Sequence, residues 1–376
     1  MKRALCMIFA LLLLLPTAAL AEAAPGLELE APSAMLVHTS GRVLWEQDAH
    51  RSVIPASVTK IMTMLLIMEG LDEGLLSLDE MVTGSEHARS MGGSQVFLDT
   101  GEQMSVHEML KCIAMVSAND CSVAMAEHMA GSESAFVAKM NARAAALGMQ
   151  NTAFADASGL SEHNRTSAFD VALMAAELMR HEAITEYTMT WQDSIRDGAF
   201  GLDNKNRMLK TYEGCTGLKT GWIPASGYNI AASATRGDMG LIAVVMGGKS
   251  VESRNGDAAK LLNYGFANFA NVALTPDTPI MPVEVVLGKQ NQVLCGLSDT
   301  APQVYEKAKL REVTKTLEMD GPLTAPVAAG TTVGQLVVRA GDTVIARVSV
   351  VTMEAVGRQS LWDIWLAQLR RMSMRG

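Results

Sequence analysis

The stretch Pro55-Ala56-Ser57-Val58-Thr59-Lys60-Ile61-Met62-Thr63 constrains this chain most, because it sets a serine and a lysine three residues apart at the mouth of an apolar run. Three residues is just under one helical turn, so Ser57 Oγ and Lys60 Nζ fall on one helix face and can share a proton. A free lysine is almost wholly protonated near neutrality. Lys60 can therefore act as a base only where its charge is disfavoured, by desolvation or by a neighbouring cation. The following Ile61-Met62-Thr63-Met64-Leu65-Leu66-Ile67-Met68 reads as the buried helix such a site needs. Taken alone, the pair fits a solvated lysine on an ordinary helix better, so its partners must be sought elsewhere in the chain.

The two ends place the chain. Residues 1–21 carry Lys2 and Arg3, an apolar run around Leu11 to Leu15, and Ala19-Leu20-Ala21 as a small-x-small cleavage pattern, which together read as a secretory signal peptide. Cys6 precedes the apolar core and does not fit a lipoprotein site. The leader holds two of the 31 Lys and Arg, so the mature part has 29 basic against 40 acidic residues, a net of −11. That balance argues against a nucleic-acid partner. No other stretch is long and apolar enough to span a bilayer.

Four cysteines remain after the leader: Cys112, Cys121, Cys215 and Cys295. Their density is far below that of a disulfide scaffold. Cys112 and Cys121, nine residues apart in one apolar run, are expected on opposite faces of a continuous helix as buried small hydrophobes. No His and Cys spacing matches a metal site; His107-Glu108 lacks a second histidine three residues on. No cofactor is expected, and the 26 methionines read as core filler.

Along the chain, strands at Ser33 to Ser40 and Arg42 to Glu46 flank Gly41. Met104 to Met129 is largely helical with a break at Ser117-Ala118-Asn119-Asp120, and a further helix covers Glu133 to Leu147. Asn151 to Asn164 reads as a loop leading into a helix from Asp170 to His181. Lys219-Thr220-Gly221 opens an edge strand, Gly227 to Ser233 pairs with Leu241 to Met246, and an amphipathic helix spans Asp257 to Phe269. The first and last of these segments are expected to share one sheet. Past Asn271, with proline at 276, 279 and 282, short strands separated by glycine read as a small all-β domain to about Val356. Residues 358–376 place Leu361, Trp362, Trp365, Leu366, Leu369 and Met372 at helical spacing, with Arg370, Arg371 and Arg375 near the end. They read as an interfacial helix lying in lipid headgroups, with packing on its own domain as the alternative.

Ser57-x-x-Lys60, Ser117-Ala118-Asn119 and Lys219-Thr220-Gly221 occur in this order behind a leader and ahead of a β domain, and this combination resembles the low-molecular-mass penicillin-binding proteins. Specifically, it is similar to the serine D-alanyl-D-alanine carboxypeptidases of peptidase family S11. Gly92-Gly93-Ser94, Asn151-Thr152-Ala153-Phe154, Asn206-Arg207-Met208-Leu209 and Pro322-Leu323-Thr324-Ala325-Pro326 extend the likeness over nearly the whole mature sequence. The resemblance implies an α/β (α+β) transpeptidase-like catalytic domain over 31–270, a small all-β domain over 271–356, and an amphipathic membrane-associating helix over 358–376.

It further implies Ser57 as nucleophile, Lys60 as base and Ser117 as a proton relay to the leaving amine. Asn119 would hold Lys60 and the substrate amide. Lys219 would lower the pKa of Lys60 and, with Thr220 and Arg254, hold a terminal carboxylate. Gly221 would let substrate approach, and the Ser57 and Trp222 amides would form an oxyanion hole. The implied partners are the peptidoglycan stem peptide, β-lactams and a membrane surface, at the extracytoplasmic face. Ala118 stands where glycine is common, Trp222 alters the substrate rim, and Lys205 falls where some relatives carry arginine. D,D-endopeptidase action, a β-lactamase using Glu162, and a non-catalytic wall-binding protein remain the alternatives.

Overall fold

Alternation along the strands decides how the first two-thirds of the chain folds. In the strand Ser33–His38, Met35 and Val37 bury into one apolar cluster while Ala34 and Leu36 bury into another. Met239–Gly248 divides likewise, Ile242, Val244 and Met246 to one side and Leu241, Ala243 and Val245 to the other. A strand covered on both faces must be apolar throughout, which is why 241–246 has no polar residue. The computed structural model, which describes residues 27–300, 303–310 and 312–365, sets these strands in a five-stranded antiparallel sheet. Its order is Val43–Gln47, Ser33–His38, Met239–Gly248, Gly227–Arg236 and Cys215–Ile223, so chain start and chain end of this unit pair directly, with Leu36 opposite Ala243.

The helix Val251–Asn268 covers one face of the sheet and Ala168–Leu178 the other. The first begins six residues before the expected Asp257. Its buried apolar positions start only at Ala258, but Ser250 caps the first turn, accepting from the Ser253 amide while Ser253 Oγ accepts from its own. The earlier start puts Arg254 on a helix, close to the sheet. The helix Lys60–Asp72 runs through the middle of the larger cluster, buried nearly all round, with Met62, Met64 and Met68 among its packing groups.

Between Val106 and Ala130 the chain is not one helix. Val106–Lys111 continues as a π turn over Cys112–Val116, Ser117 takes a left-handed conformation (φ 65°, ψ 36°), and Asn119–Ala130 starts afresh. Cys112 and Cys121 are consequently not on opposite faces of a continuous helix. They are buried free thiols, and burial together with the neighbouring Cys112 pushes the Cys121 thiol pKa up.

The strand Phe269–Val272 spans the compositional change at Asn271 and pairs with Gln303–Glu306. Beyond it lie a four-stranded sheet containing Thr332–Ala340 and Thr343–Thr352, a three-stranded sheet around Val283–Val286, and two small valine-rich clusters. The expected leader lies outside the described residues, and of the terminal helix only Leu361–Trp365 lies within them. No helix among the described residues is long and apolar enough to cross a membrane.

Candidate active site

Ser57 sits in the single 3-10 turn Ala56–Thr59, which is fixed from the sheet. Asn229 Nδ2 donates to the carbonyls of Ile54 (3.0 Å) and Pro55 (3.2 Å), and its Oδ1 accepts from the Gly247 amide at 2.8 Å. The edge strand Cys215–Ile223 closes on the same turn. A Cβ at Gly221 would stand 2.8 Å from the Pro55 carbonyl oxygen and 3.0 Å from the Ser57 nitrogen, so only glycine lets the two backbones lie this close.

Lys60, the first residue of its helix, has no exposed surface. Its Nζ donates to Asn119 Oδ1 at 2.6 Å and to the Ser158 carbonyl at 2.6 Å, and stands 3.3 Å from Ser57 Oγ. A neutral amine has two hydrogens and one lone pair. The two carbonyl-type acceptors take the hydrogens, and the lone pair is left facing the serine hydroxyl. Burial holds the Lys60 pKa down at about 7, against the upward pull of Asp156 and Asp120.

Burial leads the depression of Lys60, and Lys219 is itself pushed well below the ordinary lysine value by burial and then by Lys60, Arg254 and Lys205, so the two amines disfavour each other's charge. Lys219 Nζ donates to the Thr220 carbonyl at 3.0 Å. Arg254, buried at the start of its helix, donates to Asn255 Oδ1 at 3.0 Å, and burial lowers its pKa to about 10. Among the described residues none of these cations forms an ion pair with a carboxylate. Cations held apart from carboxylates around one hollow favour an anionic ligand.

That hollow is a cleft of two lobes meeting at Ser57. One lobe, 660 Å³, runs past Gly93, Phe97, Asn119 and Leu160; the other, 710 Å³, past Ser117, Thr220, Gly221 and Arg254, with Trp222 and Lys205 on both. Trp222 is 51 % exposed and tilts against Tyr228. Ser117 Oγ is buried beside the second lobe without a hydrogen-bond partner, so its hydroxyl is uncommitted. The arrangement can move a proton from Ser57 to Lys60 and bind an anion alongside.

Two supports escaped sequence reasoning. Asp120 Oδ2 accepts from the amides of Val96 (3.0 Å) and Leu98 (3.1 Å), and Arg196 donates to the Val96 carbonyl at 2.9 Å while pairing with Glu102; together they hold the loop that rims the first lobe. Asp156 does the same for 158–161, accepting from Gly159 and Ser161 at 2.6 Å each, and so fixes the Ser158 carbonyl against Lys60. A carboxylate committed to backbone amides looks no different in sequence from an exposed one. The adjacency of Asp120 to Asn119 was the only local signal. Glu162, on the same loop, is exposed and lines neither lobe.

A five-stranded sheet with a Ser–Lys pair at its edge-strand end and a following β unit defines the penicillin-binding class of serine acyl enzymes. The chain belongs to the D-alanyl-D-alanine carboxypeptidase family, whose model matches residues 18–250, and residues 273–358 match the C-terminal domain of penicillin-binding protein 5. It is 42 % identical to D-alanyl-D-alanine carboxypeptidase DacF of Bacillus subtilis over 86 % of this chain and 85 % of that one. With DacC of Escherichia coli the identity is 33 % over 92 % and 89 %. Among solved structures, penicillin-binding protein 5 of Haemophilus influenzae superposes with a TM-score of 0.75 at 31 % identity, covering 88 % of this chain and 98 % of that one. Penicillin-binding protein D2 of Listeria monocytogenes, in its ampicillin-bound form, covers 64 % of this chain and all of its own, with a TM-score of 0.59 at 30 % identity.

Proposed function

We propose that the protein is an extracytoplasmic serine D-alanyl-D-alanine carboxypeptidase that removes the terminal D-alanine from peptidoglycan stem pentapeptides. The observation that carries this reading is Lys60, buried, held to a pKa of about 7, and aimed at Ser57 Oγ from 3.3 Å. Ser57 Oγ attacks the carbonyl carbon between the two D-alanines and its proton passes to Lys60 Nζ. The backbone amides of Ser57 and Trp222 stabilise the oxyanion. As the C–N bond breaks, the leaving amine takes a proton through Ser117, whose uncommitted hydroxyl suits a relay. Asn119 keeps Lys60 in register, and Lys219, Thr220 and Arg254 hold the leaving residue's carboxylate. Water then cleaves the ester.

A β-lactam enters the same attack, but its amine stays tethered to the acyl group after ring opening and keeps blocking the site. The β-lactamase alternative is disfavoured by the exposed position of Glu162, which lines neither lobe.

The test is mass spectrometry of the mature protein incubated with a penicillin, alongside assay of free D-alanine from a peptide ending in D-Ala-D-Ala. A persistent adduct on Ser57 and D-alanine release are expected, both absent in Ser57→Ala. Fast β-lactam turnover without D-alanine release would overturn the reading.

The protein is further proposed to rest on the membrane surface through its C-terminal helix. Leu361 is 88 % exposed, and Trp362 and Trp365, 63 % and 52 % exposed, stack on each other at 4.8 Å and belong to no apolar cluster among the described residues. Such a pair suits the headgroup region. The mature protein is expected to float with anionic vesicles and a chain ending at Arg358 to stay behind; equal flotation of both would exclude the helix as anchor.

A further inference from the structure

The Lys60 amine is aimed at Ser57 by two acceptors, Asn119 Oδ1 and the Ser158 carbonyl. A neutral amine has one lone pair, so fixing its two hydrogens fixes where that pair points. Whatever holds the two acceptors from behind therefore bears on the proton transfer without touching the reacting atoms.

Asn119 is held by the rim of the first lobe. Its Nδ2 donates to the Gly92 carbonyl at 2.7 Å, and its amide donates to the Ser94 carbonyl at 2.7 Å. Gly92 follows directly on the short helix Glu86–Arg89 and its closing turn, in which the Ser90 amide donates to the Glu86 carbonyl at 3.0 Å and the Met91 amide to the Ala88 carbonyl at 3.2 Å. Ala88 is fully buried in the larger apolar cluster, so this piece is anchored. Its neighbour His87 is half exposed.

The Ser158 carbonyl belongs to the loop that Asp156 shapes from within, through the amides of Ser158, Gly159 and Ser161. Among the described residues, three hydrogen bonds attach Ala157 and Ser158 to elements outside that loop. Lys60 donates to the Ser158 carbonyl, Thr63 Oγ1 donates to the Ala157 carbonyl at 2.6 Å, and the Ala157 amide donates to Glu133 Oε1 at 3.0 Å. The first two come from the helix of Lys60 itself. The third comes from the first residue of another helix, Glu133–Ala146. The other oxygen of this carboxylate, Oε2, accepts from His87 Nε2 at 2.8 Å; a carboxylate offers acceptors alone, so the imidazole is the donor. A circuit closes in this way, from Lys60 to Asn119 and Gly92, back along the chain to His87, and through Glu133, Ala157 and Ser158 to Lys60 again.

We propose that His87 and Glu133 are positioning residues for the attack by Ser57, a clasp outside the cleft that locks the two acceptors of the Lys60 amine to each other and so keeps its lone pair on the serine hydroxyl. The proposal rests on the reading of Lys60 as the base. Neither residue lines a lobe of the cleft, so ligand binding is not their task. With the clasp open, the Ser158 carbonyl is free to part from the amine, and an amine left with one fixed acceptor turns its lone pair away from Ser57 Oγ. Glutamate serves because it has two oxygens, one for each wall. Glutamine reproduces both bonds, its oxygen accepting from Ala157 and its amide donating to the bare nitrogen of the other imidazole tautomer; alanine reproduces neither.

The full mature protein and its Glu133→Ala, Glu133→Gln, His87→Ala and double alanine variants would be mixed with a fluorescent penicillin over a range of concentrations, which separates the acylation rate constant at saturation from the half-saturating concentration. Glu133→Ala is expected to lower the rate constant about tenfold and to leave the half-saturating concentration unchanged. Glu133→Gln should retain most of the rate; it discards the charge at the helix start and keeps the bonds, so the contrast with alanine assigns the effect to the bonds. His87→Ala opens the same circuit and should also slow acylation at unchanged half-saturation. The double variant should be no slower than the slower single one, because a circuit already open has nothing more to lose. Losses that simply add, a glutamine variant as slow as the alanine one, a changed half-saturating concentration at an unchanged rate constant, or lowered melting temperatures with normal acylation would each overturn the clasp. If Glu133→Ala fails to fold, His87→Ala at its half-exposed position decides the matter alone. A wild type that forms no adduct on Ser57 would instead remove the reading of Lys60 beneath the proposal.

Discussion

Lys60→Met stops acylation of Ser57, with the rate of adduct formation by a penicillin down by about 10³-fold or more, the scale on which a lost general base and an unactivated nucleophile act together. Lys60→Arg is expected to fail as badly, since a guanidinium keeps the charge but cannot give up its proton in a protein. The pair of variants separates a base from a merely cationic neighbour. In the wild type, acylation should rise with pH through about 7 and level off above it, because only the neutral amine can take the Ser57 proton. A flat profile across that range, or an active arginine variant, would remove Lys60 from the role.

The same group links to stability. Its folded pKa of about 7 lies below the ordinary 10.5, so between those values the unfolded chain holds a proton that the folded protein lacks. Stability contributed by this site therefore rises with pH across the window and is lost as pH falls to about 7. Lys60→Met should flatten that slope in denaturant titrations.

Gly159→Ala is the second large effect. A Cβ there would stand 1.9 Å from the Ala56 carbonyl oxygen and 2.9 Å from the Ser57 nitrogen, and Gly159 has φ of +80°. The obstacle is backbone on both sides, so no rotamer relieves it. The loop 158–161 and the Ser57 turn have to part, and the Ser158 carbonyl leaves Lys60 as they do. About 1–3 kcal/mol of stability is expected to go, with acylation slowed on the order of 10²-fold by a displacement of roughly an ångström. Gly256→Ala, on an exposed helix face with open space around it, is the control and should stabilise slightly. Normal melting and acylation in Gly159→Ala would show that the loop does not brace the nucleophile.

The ordering of helix and strand was legible because it rests on short-range periodicity. Leu241 to Met246 could be read as a strand, and Ile61 to Met68 as a buried helix, from apolar spacing alone. Where a polar side chain rather than apolar spacing sets a boundary, the reading slipped. Ser250 starts a helix that apolar spacing begins only near Ala258, whereas the helix break expected at Ser117 to Asp120 falls where the left-handed Ser117 stands, and only the placing of Cys112 and Cys121 on one continuous helix failed.

The sequence by itself determined the chemistry available: a serine and a lysine one turn apart, a Ser-Ala-Asn break and a Lys-Thr-Gly strand. Only the tertiary structure decided which of those charges lose their water. Lys60 is brought to Asn119 and Ser158 across 59 and 98 residues, and Arg254 reaches the sheet because its helix starts early. Desolvation depends on everything packed around a group, most of it remote in the chain. No local pattern can therefore tell a neutral lysine at Ser57 from a solvated one.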